Sequence, residues 1–315
     1  MKNGMTLHIL PRKTMTWKEF VETTPRNSIA LDGMVLGGPR FDEAIMHANF
    51  DHHDGVIRDA TMSTCMQIYM AIKGGLMQSF REDGLPCLHI YINDTDQDTA
   101  MAVWLLNNYN LFEETQSIPS INRILALTNN WDITGGAFPV NLTEQVVRQH
   151  CWIFQPYTDL RKSGELSRAT EGMMRDNIEA IMQRLNAALM GQAGEKTLDT
   201  RHEILYDSPL FKIVNEIGGN EARYYLYGKG MNAFISLVAI REDGKYVYSV
   251  GRRSQYILFP VEKLYDAFNF AEGLSRTNGW NGSTIIGGSP RETGSGLSWQ
   301  QLVDITELTI AELKK

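Results

Sequence analysis

Three short apolar runs, each closed by an acidic residue, constrain this chain more than any other feature. Ser28-Ile29-Ala30-Leu31 ends at Asp32-Gly33, Ala48-Asn49-Phe50 ends at Asp51, and Leu88-His89-Ile90-Tyr91-Ile92 ends at Asn93-Asp94. Such runs, rich in β-prone residues and bounded by Asp and Gly, read as buried strands. Segments of helical period lie between or after them. Thr61-Met62-Ser63-Thr64 opens one, continued by Met66, Ile68, Tyr69, Ile72 and Leu76, and Asp98 precedes another over Ala100 to Leu106. Strands alternating with helices build a parallel sheet, and ligands bind such sheets beyond the carboxyl ends of the strands. Asp32, Asp51 and Asp94 all fall at those ends.

The chain's 315 residues suit two domains better than one core. Residues 1–27 hold a short helix with the capping pair Thr16 and Glu19. Residues 159–194 carry a helical stripe (Met174, Ile178, Ile181, Met182, Leu185, Leu189) and read as a linking helix. Further on, Tyr224 to Tyr227, Ala233 to Arg241 and Tyr246 to Val250 read as strands, with Asp243-Gly244 as a hairpin turn. Phe259 to Gly273 and Trp299 to Leu313 read as helices. The expected fold is α/β: a parallel-sheet domain over 1–158, a helical linker over 159–194, and a smaller mixed α/β domain over 195–315.

Charge narrows the function. A net charge of −7 argues against binding long nucleic acid, which needs a basic face, but leaves room for a small phosphorylated substrate. No apolar run is long enough to span a bilayer, so no membrane partner is expected. Met1 to Arg12 lacks the apolar centre of a secretory signal, and Cys65, Cys87 and Cys151 form neither a CxxC pair nor a disulfide framework. The expectation is a cytoplasmic protein; a homodimer is compatible with it.

Chemistry concentrates at Asp51-His52-His53 together with Asp32, the run Asp94-Thr95-Asp96-Gln97-Asp98, and Asp132. Two carboxylates 4 Å apart repel by about 4 kcal/mol at an effective dielectric near 20. A convergence of several therefore calls for cations or bound protons. Oxygen ligands with imidazole suit Mn²⁺ or Mg²⁺, with Zn²⁺ or Fe²⁺ as alternatives. Taken singly, each aspartate has a plainer reading as a helix cap or solvated turn. Four acidic points beside an Asp-His-His favour the metal site.

The Asp51-His52-His53 triplet resembles the signature of the DHH phosphoesterase superfamily, which includes RecJ-like exonucleases, cyclic-dinucleotide phosphodiesterases and manganese pyrophosphatases. Asp32-Gly33 is similar to the family's second motif, and Asp132-Ile133-Thr134-Gly135-Gly136-Ala137-Phe138 to its fourth. Asn93 to Val103 resembles the first motif but follows the triplet, which implies a permuted sheet and puts Ile92 where the family has a histidine. The resemblance implies one or two Mn²⁺ or Mg²⁺ ions held by Asp32, His52, Asp94, Asp96, Asp98 and Asp132. Asp32, Asp98 and His53 would be catalytic, with His53 at the phosphoryl group or leaving oxygen.

Near the end, Gly287-Gly288-Ser289-Pro290-Arg291 and Gly251-Arg252-Arg253-Ser254 resemble elements of the DHH-associated substrate domain. The resemblance makes Arg252, Arg253, Gly287, Gly288, Ser289 and Arg291 substrate-binding residues; glycine-rich backbone can cradle an anion and arginine forks suit phosphate. The plainer reading is tight turns and solvated arginines. The expected activity is hydrolysis of a nucleotide or short oligonucleotide by metal-activated water. The alternative is a non-hydrolytic nucleotide- or phosphate-binding protein that has lost one metal site.

Overall fold

The structure is a computed structural model and describes residues 4–313. Residues 1–3 and 314–315, the ends of the two expected domains, lie outside the described residues. The fold is mixed α/β, with eleven α-helices and three sheets, two of them partly parallel, among the described residues. By its internal contacts the chain separates into two compact units, the first holding residues 1–133, 143–160 and 168–196, the second the remainder.

The first unit begins with β1 (Met5–Ile9), α1 (Trp17–Thr23), β2 (Ser28–Leu31), β3 (Arg40–Asp42) and β4 (His47–Phe50). There follow α2 (Thr64–Lys73), α3 (Leu76–Ser79), the small hairpin β5 (Arg81–Glu82) and β6 (Leu85–Pro86), and then β7 (Leu88–Ile92). Helices α4 (Gln97–Asn107), α5 (Pro119–Ile133), α6 (Gln145–Ile153) and α8 (Glu171–Leu189) complete it, with α7 (Gln155–Lys162) as far as residue 160. The main sheet has the order β1-β7-β2-β4-β3, parallel except for β3.

Strand alternation sorts side chains between two cores. Ile29, Leu31, Leu88, Ile90 and Ile92 join the larger one, with Ile68, Trp104, Ile124 and Leu125 from the helices, whereas Ala30 and Tyr91 meet Phe20 of α1 on the other face. Because the carboxyl ends of β2, β4 and β7 lie side by side, the segments that follow them share one edge of the sheet.

Two local expectations change. Residues 1–27 carry β1 as well as the helix; its alternating burial is that of a strand, and among the described residues it pairs with β7 alone. The stripe read as a linker lies in the first unit's core, where Met174, Ile178, Ile181 and Leu185 of α8 are buried. That helix is part of the first unit rather than a free connection.

The second unit contains β8 (Glu203–Asp207), β9 (Lys212–Asn215), α9 (Asn220–Gly228), β10 (Ala233–Ile240), β11 (Tyr246–Arg252), α10 (Val261–Glu272), β12 (Asn281–Gly282), β13 (Ile286–Gly288) and α11 (Trp299–Leu313). Its sheet runs β12-β13-β11-β10-β9-β8, and only β9 and β10 are parallel. The β10–β11 hairpin turns at Asp243-Gly244 as its sequence indicates, with Gly244 at φ 79°. Tyr224 to Tyr227, expected as a strand, is helical. The helix starts from Gly219 at φ 69°, and its Leu226 and Tyr227 pack on Val214 and Phe234. Aromatic strand preference yields here to that packing.

Candidate metal centre

Each candidate ligand is placed by an element end. Asp32 follows β2 directly with φ 53°, a left-handed conformation that aspartate tolerates better than most residues. Its carboxylate accepts hydrogen bonds from Thr64 Oγ1 (3.1 Å) and Thr99 Oγ1 (2.9 Å). His52 follows β4 by one residue. Asp98 sits in the first turn of α4, and both its oxygens accept backbone amides from the start of α2, Thr64 N–H at 2.6 Å and Cys65 N–H at 2.7 Å. Two helix N-termini thus favour its negative charge. Asp132 lies in the last turn of α5, where the helix field disfavours a carboxylate. His52 and Arg58 offset that.

These groups converge on one nitrogen. His52 Nε2 lies 2.7 Å from Asp132 Oδ2, 3.5 Å from Asp32 Oδ1 and 3.6 Å from Asp98 Oδ2. His52 is fully buried, Asp98 is 1% exposed and Asp32 6%. Among the described residues neither ring nitrogen of His52 meets the angular geometry of a hydrogen bond, although Nε2 is paired with Asp132 Oδ2 at 2.7 Å. An imidazole nitrogen facing three carboxylate oxygens without a directed bond to any is the arrangement a cation would complete.

The electrostatics agree. Burial opposes the His52 charge, but the neighbouring Asp132 and the contact with Asp32 prevail and push its pKa up to about 10. Burial and then the charges of Asp132 and Asp32 push Asp98 up to about 7. Burial would raise Asp32 and Asp132 too. For Asp32 the charges and contacts of His53 and His52 outweigh it, for Asp132 those of His52 and Arg58, so both fall below the usual carboxylate range. These shifts all run in the direction that favours positive charge among the three carboxylates.

The residues fit a divalent ion. His52, Asp98 and Asp132 lie within ligand reach of one another and Asp32 faces the same His52 Nε2, so this cluster of three carboxylates and an imidazole could hold a metal ion. Oxygen-rich sets with one imidazole suit Mn²⁺ or Mg²⁺. The departure is at His52 Nδ1, buried and without an acceptor among the described residues, where metal-binding histidines usually donate to a second partner. Asp32, His52 and His53 form a second, overlapping group. His53 is partly exposed, its Nδ1 2.8 Å from Asp51 Oδ1 and 3.5 Å from Asp32 Oδ1. Asp51 also accepts the His53 backbone amide at 3.2 Å, so it orients the second histidine.

Other expected residues do not join these groups. Asp94 Oδ1 accepts the Thr95 amide and Asp96 caps α4 by accepting the Thr99 amide at 2.9 Å, the plain capping roles. Asp96 is still close enough that burial and the charges of Asp32, Asp94, Asp132 and Asp98 hold its carboxyl well above the usual range. Ile92 is buried in the main core and supplies no ligand. Two further histidines of the first sheet also lie outside these groups: His47 is engaged by Ile45 O and Thr24 Oγ1, and His89 by His8 Nε2 at 3.2 Å.

In the second unit, Gly287 and Gly288 lie inside β13, paired on both sides, rather than in an anion-cradling loop. A Cβ at Gly287 would meet Tyr265 Oη at 2.2 Å and Asn281 O at 2.4 Å, so close packing accounts for glycine there. Ser289 Oγ accepts the Tyr248 amide at 3.0 Å. Arg252 donates to Thr284 O (2.9 Å) and Ile257 O (3.1 Å), Arg253 is half-buried, and Arg291 is exposed.

Sequence reasoning did not single out Arg58, Thr99 or the Thr64 and Cys65 amides. The hydroxyl run before α2 was the available signal for Thr64; an arginine in a loop carries none. No model of a known protein family matches the chain, and no curated protein is similar enough to stand as a relative.

Proposed function

We propose that the first unit is a metal-dependent phosphoesterase of the DHH type, acting on a small phosphorylated substrate such as a nucleotide or short oligonucleotide. The observation that carries the reading is the convergence of Asp32, Asp98 and Asp132 on His52 Nε2 at the carboxyl edge of a parallel sheet. Asp32, His52, Asp98 and Asp132 would hold the ion. A divalent ion bound there would supply positive charge for a phosphoryl oxygen and acidify a water.

The chain's own residues do the rest. Thr64, Thr99 and the α2 amides fix the two inner carboxylates before any ion arrives, which limits reorganisation during the reaction. Asp51 at His53 Nδ1 selects the tautomer that leaves Nε2 to carry the exchangeable proton. His53, partly exposed beside Asp32, is the group that would deliver a proton to the leaving ester oxygen. A chain with net charge −7 favours a small anion gathered by local cations over a long polyanion.

The second reading is a phosphate- or nucleotide-binding protein without turnover. It draws on Asp94 and Asp96 serving as turn and cap residues and on the buried Ile92, none of which joins the ligand groups around His52. Incubating metal-stripped protein with bis(p-nitrophenyl) phosphate, with and without Mn²⁺, separates the two. Turnover that requires Mn²⁺ and disappears in Asp132→Ala supports the hydrolase. Mn²⁺ binding without turnover of this or any nucleotide ester supports the binding protein.

A further inference from the structure

Arg58 borders the candidate metal centre and takes no part in the ligand set. It opens a short 3-10 turn, Arg58–Ala60, between the histidine pair and α2, and is 8% exposed. Its Nη2 reaches Asp132 O at 3.2 Å, Oδ1 at 3.3 Å and Oδ2 at 3.4 Å. One nitrogen thus serves three long contacts. Its Nε is buried and finds no acceptor among the described residues.

A guanidinium presents five N–H donors in a rigid planar fork, and a buried charged donor left unpaired is costly. The second unit's buried Arg223 shows the satisfied state: Nε and Nη2 grip Glu216 Oε1 and Oε2 at 2.6 and 3.0 Å. Strong arginine–carboxylate pairs have that two-pronged form. Arg58 does not, although Asp132 is within reach. The carboxylate it touches is turned toward His52, with Oδ2 at 2.7 Å from Nε2. The under-used edge of Arg58 therefore belongs to the rim of the ligand set, and its chemistry asks for an oxyanion. Tetrahedral phosphoryl oxygens match the fork in spacing and charge.

We propose that Arg58 binds the phosphoryl group of the substrate through its free N–H edge, and that its loose contact with Asp132 is the resting arrangement. This rests on the phosphoesterase reading above and adds to it a residue that touches substrate. Arg58 then sets specificity for a phosphoryl oxyanion over a neutral ester, and its position follows the ion site because Asp132 joins both.

The test separates ion binding from anion binding. Mn²⁺ affinity is measured by electron paramagnetic resonance, and affinity for inorganic phosphate by calorimetry on the Mn²⁺-loaded protein, for wild type, Arg58→Lys and Arg58→Met. The expected result is Mn²⁺ binding retained in all three. Phosphate binding should fall about 10- to 100-fold in Arg58→Met and less in Arg58→Lys, as for loss of a charged hydrogen bond. Unchanged phosphate affinity in Arg58→Met overturns the proposal and makes Arg58 a counter-ion to Asp132. So does a wild type that binds Mn²⁺ but no phosphate, leaving the metal centre standing. A wild type that binds no Mn²⁺ overturns the phosphoesterase reading and this proposal with it. Should Arg58→Met not fold, the Arg58 Nε–H resonance of Mg²⁺-loaded wild type decides instead. Phosphate should shift it, and an unmoved signal overturns the assignment.

Discussion

Manganese affinity should climb with pH, because the ion must displace a proton from His52. Asp132 and Asp32 push that imidazole up to about 10 against the opposing effect of burial. At pH 7 the ring is therefore protonated, and stripping the proton to expose an Nε2 lone pair costs about 4 kcal/mol at 1.36 kcal/mol per pH unit. The sign follows directly: an ion that binds only the neutral ring gains about tenfold in apparent affinity per pH unit until the pH reaches about 10. Below about pH 7 the Asp98 carboxyl also takes up a proton, and the slope should steepen toward two protons per ion. Titrating Mn²⁺ into the stripped protein between about pH 6 and 8.5 measures the slope, and calorimetry in buffers of different ionisation enthalpy counts the protons released. His52→Gln should bind the ion more weakly and lose most of the dependence above about pH 7. An affinity that stays flat across this range, with no proton released, would show that Nε2 is not a ligand and would refute the reasoning.

Two further perturbations test the scaffold. Asp98→Asn replaces one carboxylate oxygen with an N–H donor facing the α2 amides, so the metal-free variant should lose about 1–3 kcal/mol in urea unfolding despite the relieved repulsion; a gain in stability would mean that repulsion dominates. Burial pushes the fully buried His150 down to about 3, so the native state resists its protonation. The stability this contributes is complete above the unfolded value of 6.5 and is lost as pH falls from there toward about 3, by up to 4–5 kcal/mol. His150→Gln should flatten that part of the stability–pH curve, and an unchanged curve would rule out this origin.

Much of the first sheet was legible in the sequence. The runs before Asp32, Asp51 and Asp94 are the strands β2, β4 and β7, and their carboxyl ends gather Asp32 and His52 as parallel-sheet logic requires. Asp98 and Asp132, also expected from the sequence as ligands, lie 3.6 and 2.7 Å from His52 Nε2. Asp94 and Asp96 were not separable from Asp98 by spacing alone. Helix capping claims Asp96, whereas Asp98, two residues on, points to the start of α2. β1 escaped because an edge strand needs only one apolar face, and Met5 to Ile9 alternates too briefly to stand out. The fate of Gly287 and Gly288 depends on Tyr265, more than twenty residues away, which no local pattern reveals. Arg58 was invisible for the same reason: its partner Asp132 comes from α5.

Crystals of the stripped protein soaked in Mn²⁺ and recorded at the manganese absorption edge test the central claim most directly. The account predicts an anomalous peak bounded by Asp32, His52, Asp98 and Asp132, and its loss in Asp132→Ala. A manganese peak at other residues, or none in a protein that hydrolyses phosphodiesters, would contradict it.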